Sequence, residues 1–501
     1  MSKQILLVAA FILAQVGIAN ACPTGLRKFE TKDGMTKELG GKPACILEGT
    51  YFGAKALELD PAFSYILLGK VFIGQEERVV DPALNNPLKK DDAGNEIPVI
   101  PGKLVINPGV QIYALNPAKD ETGVWDGILN ADGVEISTLP DRDIKSFIAV
   151  SRDSKIEVKG LEGAPVLMTS AQGEWMNPKA DKRAKAPGDW GGLIVNGYAR
   201  TSKCYKDFAS CNTPSEAGTG WYGGNNDRHN AGSIKYLQLE FGGDQIDDEK
   251  QLNGLTLNSV GVDTVVENVA ILHNNDDCIE FFGGAVIAKN IFCYKQTDDG
   301  IDSTDGARVY IQNGVAVAQA FDDSAGAKND RFIVEADSSK KPEQVAALRS
   351  HVALHNFTFI GNTNSQGFRF RRGTNYMIEN SIMFDFDIKC WAPHASPFNM
   401  AEMNSNSFSG CNAADESAMA ALGLNEFLNV GAFDTMAGTP WVLMTPVPGA
   451  KMYAPNSFQF LPAPTNPLEA YVVLKMKRAY QSVPTKGSFG GFEWVEIVEV
   501  E

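Results

Sequence analysis

Val265-Val266-Glu267-Asn268-Val269-Ala270-Ile271 runs on to Asn275-Asp276-Asp277-Cys278-Ile279-Glu280. The pattern returns as Ile287-Ala288-Lys289-Asn290-Ile291-Phe292-Cys293, followed by Thr297-Asp298-Asp299-Gly300-Ile301-Asp302. Val309-Tyr310-Ile311-Gln312-Asn313-Gly314-Val315 opens a third copy. Asn268 and Asn290 are 22 residues apart, Asn290 and Asn313 are 23 apart, and Asp277 and Asp299 are again 22 apart. Such a period, built from short apolar runs and Gly/Asn/Asp turns, fits one coil of a parallel β-solenoid. The expected fold is all-β, a right-handed parallel β-helix. In this register Ile279 and Ile301 face inward in adjacent coils, and Val269, Ile291 and Val315 form one buried column.

Outward from this block, similar short strands recur. Tyr65 to Ile73 reads as a strand pair bent at Gly69, and Leu104 to Ile112 as two strands about Pro108-Gly109. Phe147–Val150, Lys155–Val158, Ala164–Thr169, Ser233–Phe241, Val352–Ile360, Phe368–Arg372 and Met377–Phe384 continue the series. Pro342 to Leu348 interrupts it as a short helix, and Cys204 to Asn230 is a Gly/Asn/Ser-rich excursion. The expected organisation is a leader at 1–21, an N-terminal cap at 22–64, the β-helix with loop insertions at 65–410, and a C-terminal cap at 411–501. That last cap is irregular and partly helical, with the helix at Glu416–Leu428. Solenoids need capped ends to hide open strand edges.

Lys3, the apolar run Ile5–Val16 and Ala19-Asn20-Ala21 make a secretory signal ending before Cys22. No later run reads as a transmembrane segment. A net charge of −16 argues against nucleic acid as a partner, because phosphate binding needs clustered Lys and Arg. The expected location is outside the cell or on its surface in a bacterium, with the periplasm as an alternative. All eight cysteines follow the leader, as disulfides in an oxidising compartment would. Cys22–Cys45, Cys204–Cys211 and Cys390–Cys411 are the local pairs to expect, although spacing alone leaves connectivity open. Cys22 would alternatively be a lipidated N-terminus, but Ala19 stands where a lipoprotein signal carries Leu. Cys278 and Cys293 are 15 residues apart, which departs from the coil period. With Cys278 read as outward and Cys293 as inward, no bond between them is expected.

Pro108-Gly109, Gly163-Ala164-Pro165-Val166, Asp189-Trp190-Gly191-Gly192, Asn253-Gly254-Leu255-Thr256-Leu257, Asn274-Asn275-Asp276-Asp277 and Glu280-Phe281-Phe282-Gly283-Gly284 occur in this order, followed by Asp298-Asp299 and Asp305-Gly306. Together they resemble a family of secreted bacterial surface proteins of the pectin-lyase-like, right-handed parallel β-helix type, over roughly residues 65–410. The resemblance implies fold and location, and carries no settled activity.

Glu280 and Asp302 each follow an inward Ile one period apart, so both point outward from adjacent strands, about 4.8 Å apart. Carboxylates held that close must share a proton, bind a cation or stay solvated. Asp276, Asp277, Asp298, Asp299 and Asp305 add further oxygens. Hard oxygen donors in this number suit Ca²⁺. Turn chemistry and catalytic carboxylates are the competing readings. In Gly367-Phe368-Arg369-Phe370-Arg371, inward phenylalanines put Arg369 and Arg371 outward, Arg369 in the Glu280/Asp302 column beyond an intervening coil. An ion pair along the face is the plain reading. An Arg beside metal-binding carboxylates also resembles pectate lyases. No Gly-His-Gly motif of the polygalacturonase type is present. Trp221 and Tyr222 are candidates for a sugar-stacking surface. These residues support a structural or ligand-binding role (adhesion, carbohydrate or assembly), with polysaccharide, other cell-surface components or the chain itself as partner. The alternatives are a Ca²⁺-dependent polysaccharide lyase or related carbohydrate-active enzyme such as a glycoside hydrolase, and a self-assembling surface or fibre subunit.

Overall fold

The computed structural model describes residues 21–409 except 31–37, 82–85, 116–145 (where only Leu129, Gly133 and Glu135 are placed), 173–183, 248–249, 321–330, 380, 387, 392–400 and 405–406. Beyond these it describes 467–481, 492 and 494–497. Residues 1–20 of the expected leader, Cys411 and the helix expected at Glu416–Leu428 lie outside the described residues.

The chain winds as a three-sided parallel solenoid. One coil shows how. Val265–Leu272 bends at Asn268, Ile279–Phe282 forms the third side, and Ala285–Tyr294 begins the next coil above the first. Val269 pairs with Ile291, and Ile279 with Ile301, all in parallel register. Ile279 and Ile301 are both fully buried, as inward positions should be. Each such side chain contributes roughly 1.5–3 kcal/mol by leaving water.

The bend between two sides is made by asparagines in the left-handed region. Asn268, Asn290, Asn313 and Asn356 have φ of 57°, 55°, 63° and 58°. Asparagine tolerates this conformation better than other non-glycine residues. Their amides stack as a ladder, each Nδ2 donating to the Oδ1 of the coil before at 2.8, 3.1 and 3.0 Å. Another corner needs glycine outright. Gly284 has φ of 80°, and a Cβ there would lie 2.5 Å from the Val260 carbonyl oxygen.

Three expectations are corrected. The parallel ladder starts before residue 65, because Lys42–Tyr51 pairs parallel with Ser64–Ile73, and Leu57–Leu59 with Lys103–Ile106. Arg27–Lys28 and Glu38–Leu39 pair antiparallel with Lys42–Tyr51 at this end. The Val269/Ile291 column continues at Gly314, not Val315. Gly314 leaves its place to the Phe357 ring, which a Cβ would approach within 2.1 Å, while Val315 packs outward with Phe492 and Trp494.

The third correction concerns the cysteines. Cys278 is fully buried and is bonded to Cys293, with Cα atoms 5.8 Å apart. A bond between stacked positions would need a full period. Here Cys278 stacks beneath Gly300, and Cys293 lies seven residues before Gly300, touching its carbonyl with Sγ at 3.3 Å. One period less that inward crossing gives 15. Cys22–Cys45 and Cys204–Cys211 are bonded as expected, and Cys390 is in a disulfide.

Pro342–Ala347 is the short helix anticipated there. The helix Pro467–Gln481 lays Val472 and Met476 over Ala285, Tyr310, Ala353 and Met377. Phe492, Trp494 and Val495 cover Ala270, Phe292 and Val315 on the next side. Among the described residues no helix is long and apolar enough to cross a membrane.

Candidate functional site

One side of the prism gathers the candidate chemistry. Its strands include Leu193–Asn196, Leu255–Asn258, Ile279–Phe282, Ile301–Thr304, Val334–Asp337 and Gln366–Arg371. Alternation sets one outward column as Ile194, Thr256, Glu280, Asp302, Glu335 and Arg369. Arg371 is opposite Asp337 in the neighbouring column. Glu335 is the intervening residue that sequence reasoning did not name. Asp302 and Glu335 are separated by an insertion that breaks the 22-residue spacing, so the period gave no signal there.

Five of the seven candidate carboxylates converge. Oxygens of Asp277, Glu280 and Asp302 lie within 4.8 Å of one another, and so do those of Asp276, Asp277 and Asp298. Stacked corners bring them together, because Cys278 donates its N–H to the Asp299 carbonyl at 2.9 Å and Asp299 donates to Asp277 Oδ1 at 2.9 Å. Asp299 serves the corner itself, accepting the Phe332 N–H on Oδ1. Asp305 is elsewhere, paired with Lys203 at 2.7 Å. Lys203 comes from the excursion and neutralises it, so Asp305 drops out of the donor set.

Burial and mutual repulsion raise these acids. Asp277 is held well above the usual carboxylate range by burial first, then by Asp276, Asp302 and Asp298. Glu280 is raised by burial, then by Asp302 and Asp277. Asp302 is pushed up to about 7 by burial, opposed by the Ser303 N–H and by Arg371. A cation would relieve all three. The donors fit one: they are hard oxygens, three of them within 4.8 Å in each triad. Asn253, beside them, donates Nδ2 to Glu280 Oε2, while its buried Oδ1 accepts no hydrogen bond.

The arginines are engaged with the next strand. Arg369 lies 3.7 Å from Glu335 and 4.9 Å over the Phe332 ring. Arg371 pairs with Glu335 and, at 2.7 Å, with Asp337, which Arg372 also meets. Beside this column a cleft of about 580 Å³ is lined by Lys203, Phe282, Thr304, Asp305, Ser338 and Arg372, among others.

Tyr222 does not present a stacking face. It is 2% exposed, lies against Phe282 and accepts a hydrogen bond from Lys203 Nζ at 3.1 Å. Trp221 keeps 8% of its surface and lines a different cleft. His273, next to the acid corner, stacks on Phe241 and meets Tyr294 edge-to-face, as a packing residue does.

Residues 126–419 match the model of the pectate-lyase-like β-helix domain. The chain belongs to that family. No curated protein matches it. Among solved structures it is similar to the Streptococcus pneumoniae surface protein and adhesin PfbA, at 13% identity over 74% of this chain and 88% of that one, with a TM-score of 0.27. It is also similar to a double mutant of the periplasmic alginate epimerase AlgG, at 10% identity over 76% and 99%, with a TM-score of 0.24. What this family member does must therefore be argued from its own side chains.

Proposed function

We propose that the chain is an exported, secreted or surface-held β-helix protein that binds a polysaccharide or other cell-surface component through a divalent cation on its acid column. Ca²⁺ is the preferred ion. Asp277, Glu280 and Asp302 would hold it, with Asp276 and Asp298 beside them. The observation that carries this reading is the Asp277/Glu280/Asp302 triad, three carboxylate oxygens within 4.8 Å of one another. Export is supported by the disulfides, which persist in oxidising compartments.

The bound ion would supply positive charge for an acidic or hydroxyl-rich ligand at the face. The protein's own residues position it. Asn253 orients Glu280, the Asp299 N–H orients Asp277, and the Ser303 N–H orients Asp302. An ion at 100 times its Kd stabilises the folded state by about 2.7 kcal/mol. Melting with excess Ca²⁺ should therefore exceed melting with chelator, and Glu280→Gln with Asp302→Asn should abolish the difference. A melting temperature indifferent to both additives would reduce the carboxylates to turn residues.

A second reading, a Ca²⁺-dependent polysaccharide lyase, is favoured by the position of Arg369 in the same column as Glu280 and Asp302. Against it, Arg369 and Arg371 are committed to Glu335 and Asp337. A panel of acidic polysaccharides, followed for unsaturated product ends, separates the two. The binding reading expects retention without cleavage.

A further inference from the structure

The acid column continues downward. Below Glu280 come Thr256, Ile194, Ala149 and Phe72, so Phe72 is four strand steps away, about 19 Å at ~4.8 Å per step. Between them the excursion crosses the face. Asn258 donates to Ser215 Oγ at 2.8 Å, Asn196 donates to the Thr219 carbonyl at 3.1 Å, and Ala217 packs on the cluster containing Ala149 and Ile194. This bridge divides one continuous face in two. On the side away from the acids lies a second cleft of about 510 Å³, within the range of ligand pockets.

We propose that this second cleft binds a neutral pyranose ring of a glycan, placed against Phe72 and Trp221. The proposal extends the ligand-binding reading above but uses none of its cation site. Two aromatic side chains line the cleft, and aromatic rings suit the apolar face of a sugar while their surroundings bond its hydroxyls. Thr50 is exposed at the cleft and Gln75 is half-buried in it, giving a hydroxyl and an amide for that purpose.

Charge decides against an ionic ligand. The ionised residues lining the cleft pair with one another or with the wall. Glu76 meets Arg78 at 2.6 Å and the buried Arg152, and Glu77 meets Lys89 at 3.1 Å. Among the described residues lining it, the cleft thus offers neither a free cation nor a free acid to an ionic group. It is also preformed. Arg152 Nη1 donates to the carbonyls of Cys211 and Gly223 at 2.9 and 2.8 Å, on either side of the short hairpin that carries Trp221. Cys204–Cys211 closes the base of the same excursion. Little ordering is left for a ligand to impose.

The test titrates the full-length mature protein with cellobiose, maltose and N,N′-diacetylchitobiose, read by tryptophan fluorescence and saturation-transfer NMR. The expected result is saturable binding of at least one probe, weakened tenfold or more by Phe72→Ala and by Thr50→Arg at the mouth. Glu280→Gln with Asp302→Asn, or added chelator, should leave it unchanged, so failure of the cation reading would show separately in the Ca²⁺ melts. If Phe72→Ala lowers the melting temperature, the exposed Thr50→Arg decides. Absence of binding by all three probes, binding that survives Thr50→Arg, or binding that is lost with the acid pair would each overturn the proposal.

Discussion

Replacing Cys278 and Cys293 together by alanine removes a crosslink that joins the two acid-bearing coils. The closed loop is 15 residues. Loop-closure entropy for that length is about 3 kcal/mol. Both sulfurs are in the core, at 0% and 1% exposure, so their loss adds on the order of 1 kcal/mol of buried apolar contact. A solenoid opens locally as well as globally, so a global melt alone would understate the effect. The sharper assay is native-state hydrogen exchange of peptides covering Ile279–Phe282 and Ala285–Tyr294. An opening equilibrium shifted by about 3 kcal/mol speeds exchange there roughly 150-fold. The N-terminal strands Lys103–Ile106 and Gln111–Leu115 should exchange as before.

The Cys204–Cys211 pair is the internal control. Its loop is seven residues, worth at most about 2.4 kcal/mol on the same formula. It lies in the excursion, so its loss should loosen residues 201–224 and leave the coils untouched. Equal exchange in the parent and in the Cys278/Cys293 variant would refute the crosslink. So would faster exchange spread evenly over the whole chain, because the reasoning assigns the constraint to two adjacent coils.

Other perturbations have signs fixed by the structure. Asp227→Asn strips the shared partner from Arg200 and Arg308, which reach Asp227 Oδ2 at 2.6 and 2.5 Å in a fully buried site. It should cost about 3–5 kcal/mol and open the excursion to limited proteolysis, whereas cleavage as slow as in the parent would count against that tether. Asn290→Ala breaks two rungs of the ladder and puts alanine at φ 55°, for a loss of roughly 2–4 kcal/mol, of which Asn290→Gly should recover the conformational part; equal denaturation midpoints for the two variants would deny the left-handed strain. His229 is lowered to about 4, chiefly by burial, then by Lys155, with Arg152 adding repulsion and its carbonyl opposing. An unfolded histidine near 6.5 binds its proton first, so stability falls as pH drops from about 6.5 to 4 and is level above and below that window, by on the order of 3 kcal/mol in all. His229→Gln should remove that slope in a parent-minus-variant comparison of urea midpoints, and an unchanged slope would place the titration elsewhere.

The sequence revealed coils where corners keep one length and hid them where corners vary. Asn268, Asn290 and Asn313 are spaced 22 and 23 because each must reach the same bend, and the inward places of Ile279 and Ile301 followed directly. Asp302 and Glu335 are neighbours in space but 33 positions apart in the chain, so counting by 22 passed over Glu335. Gly314 shows a different limit. Its residue type fits a turn, but it sits in a strand column because Phe357, more than 40 residues later, fills the space it leaves. The acid column was legible because alternation and period are local rules. Its partners were not: Lys203, which takes Asp305, and the bridge at 213–221, which divides the face, arrive from a segment with no periodicity. That segment is held by Arg152, Arg200 and Arg308 through buried contacts with no sequence signature. The repeat therefore specifies a scaffold with one chemically marked face. The aperiodic excursion, clamped by buried arginines, decides which parts of that face remain open to a ligand.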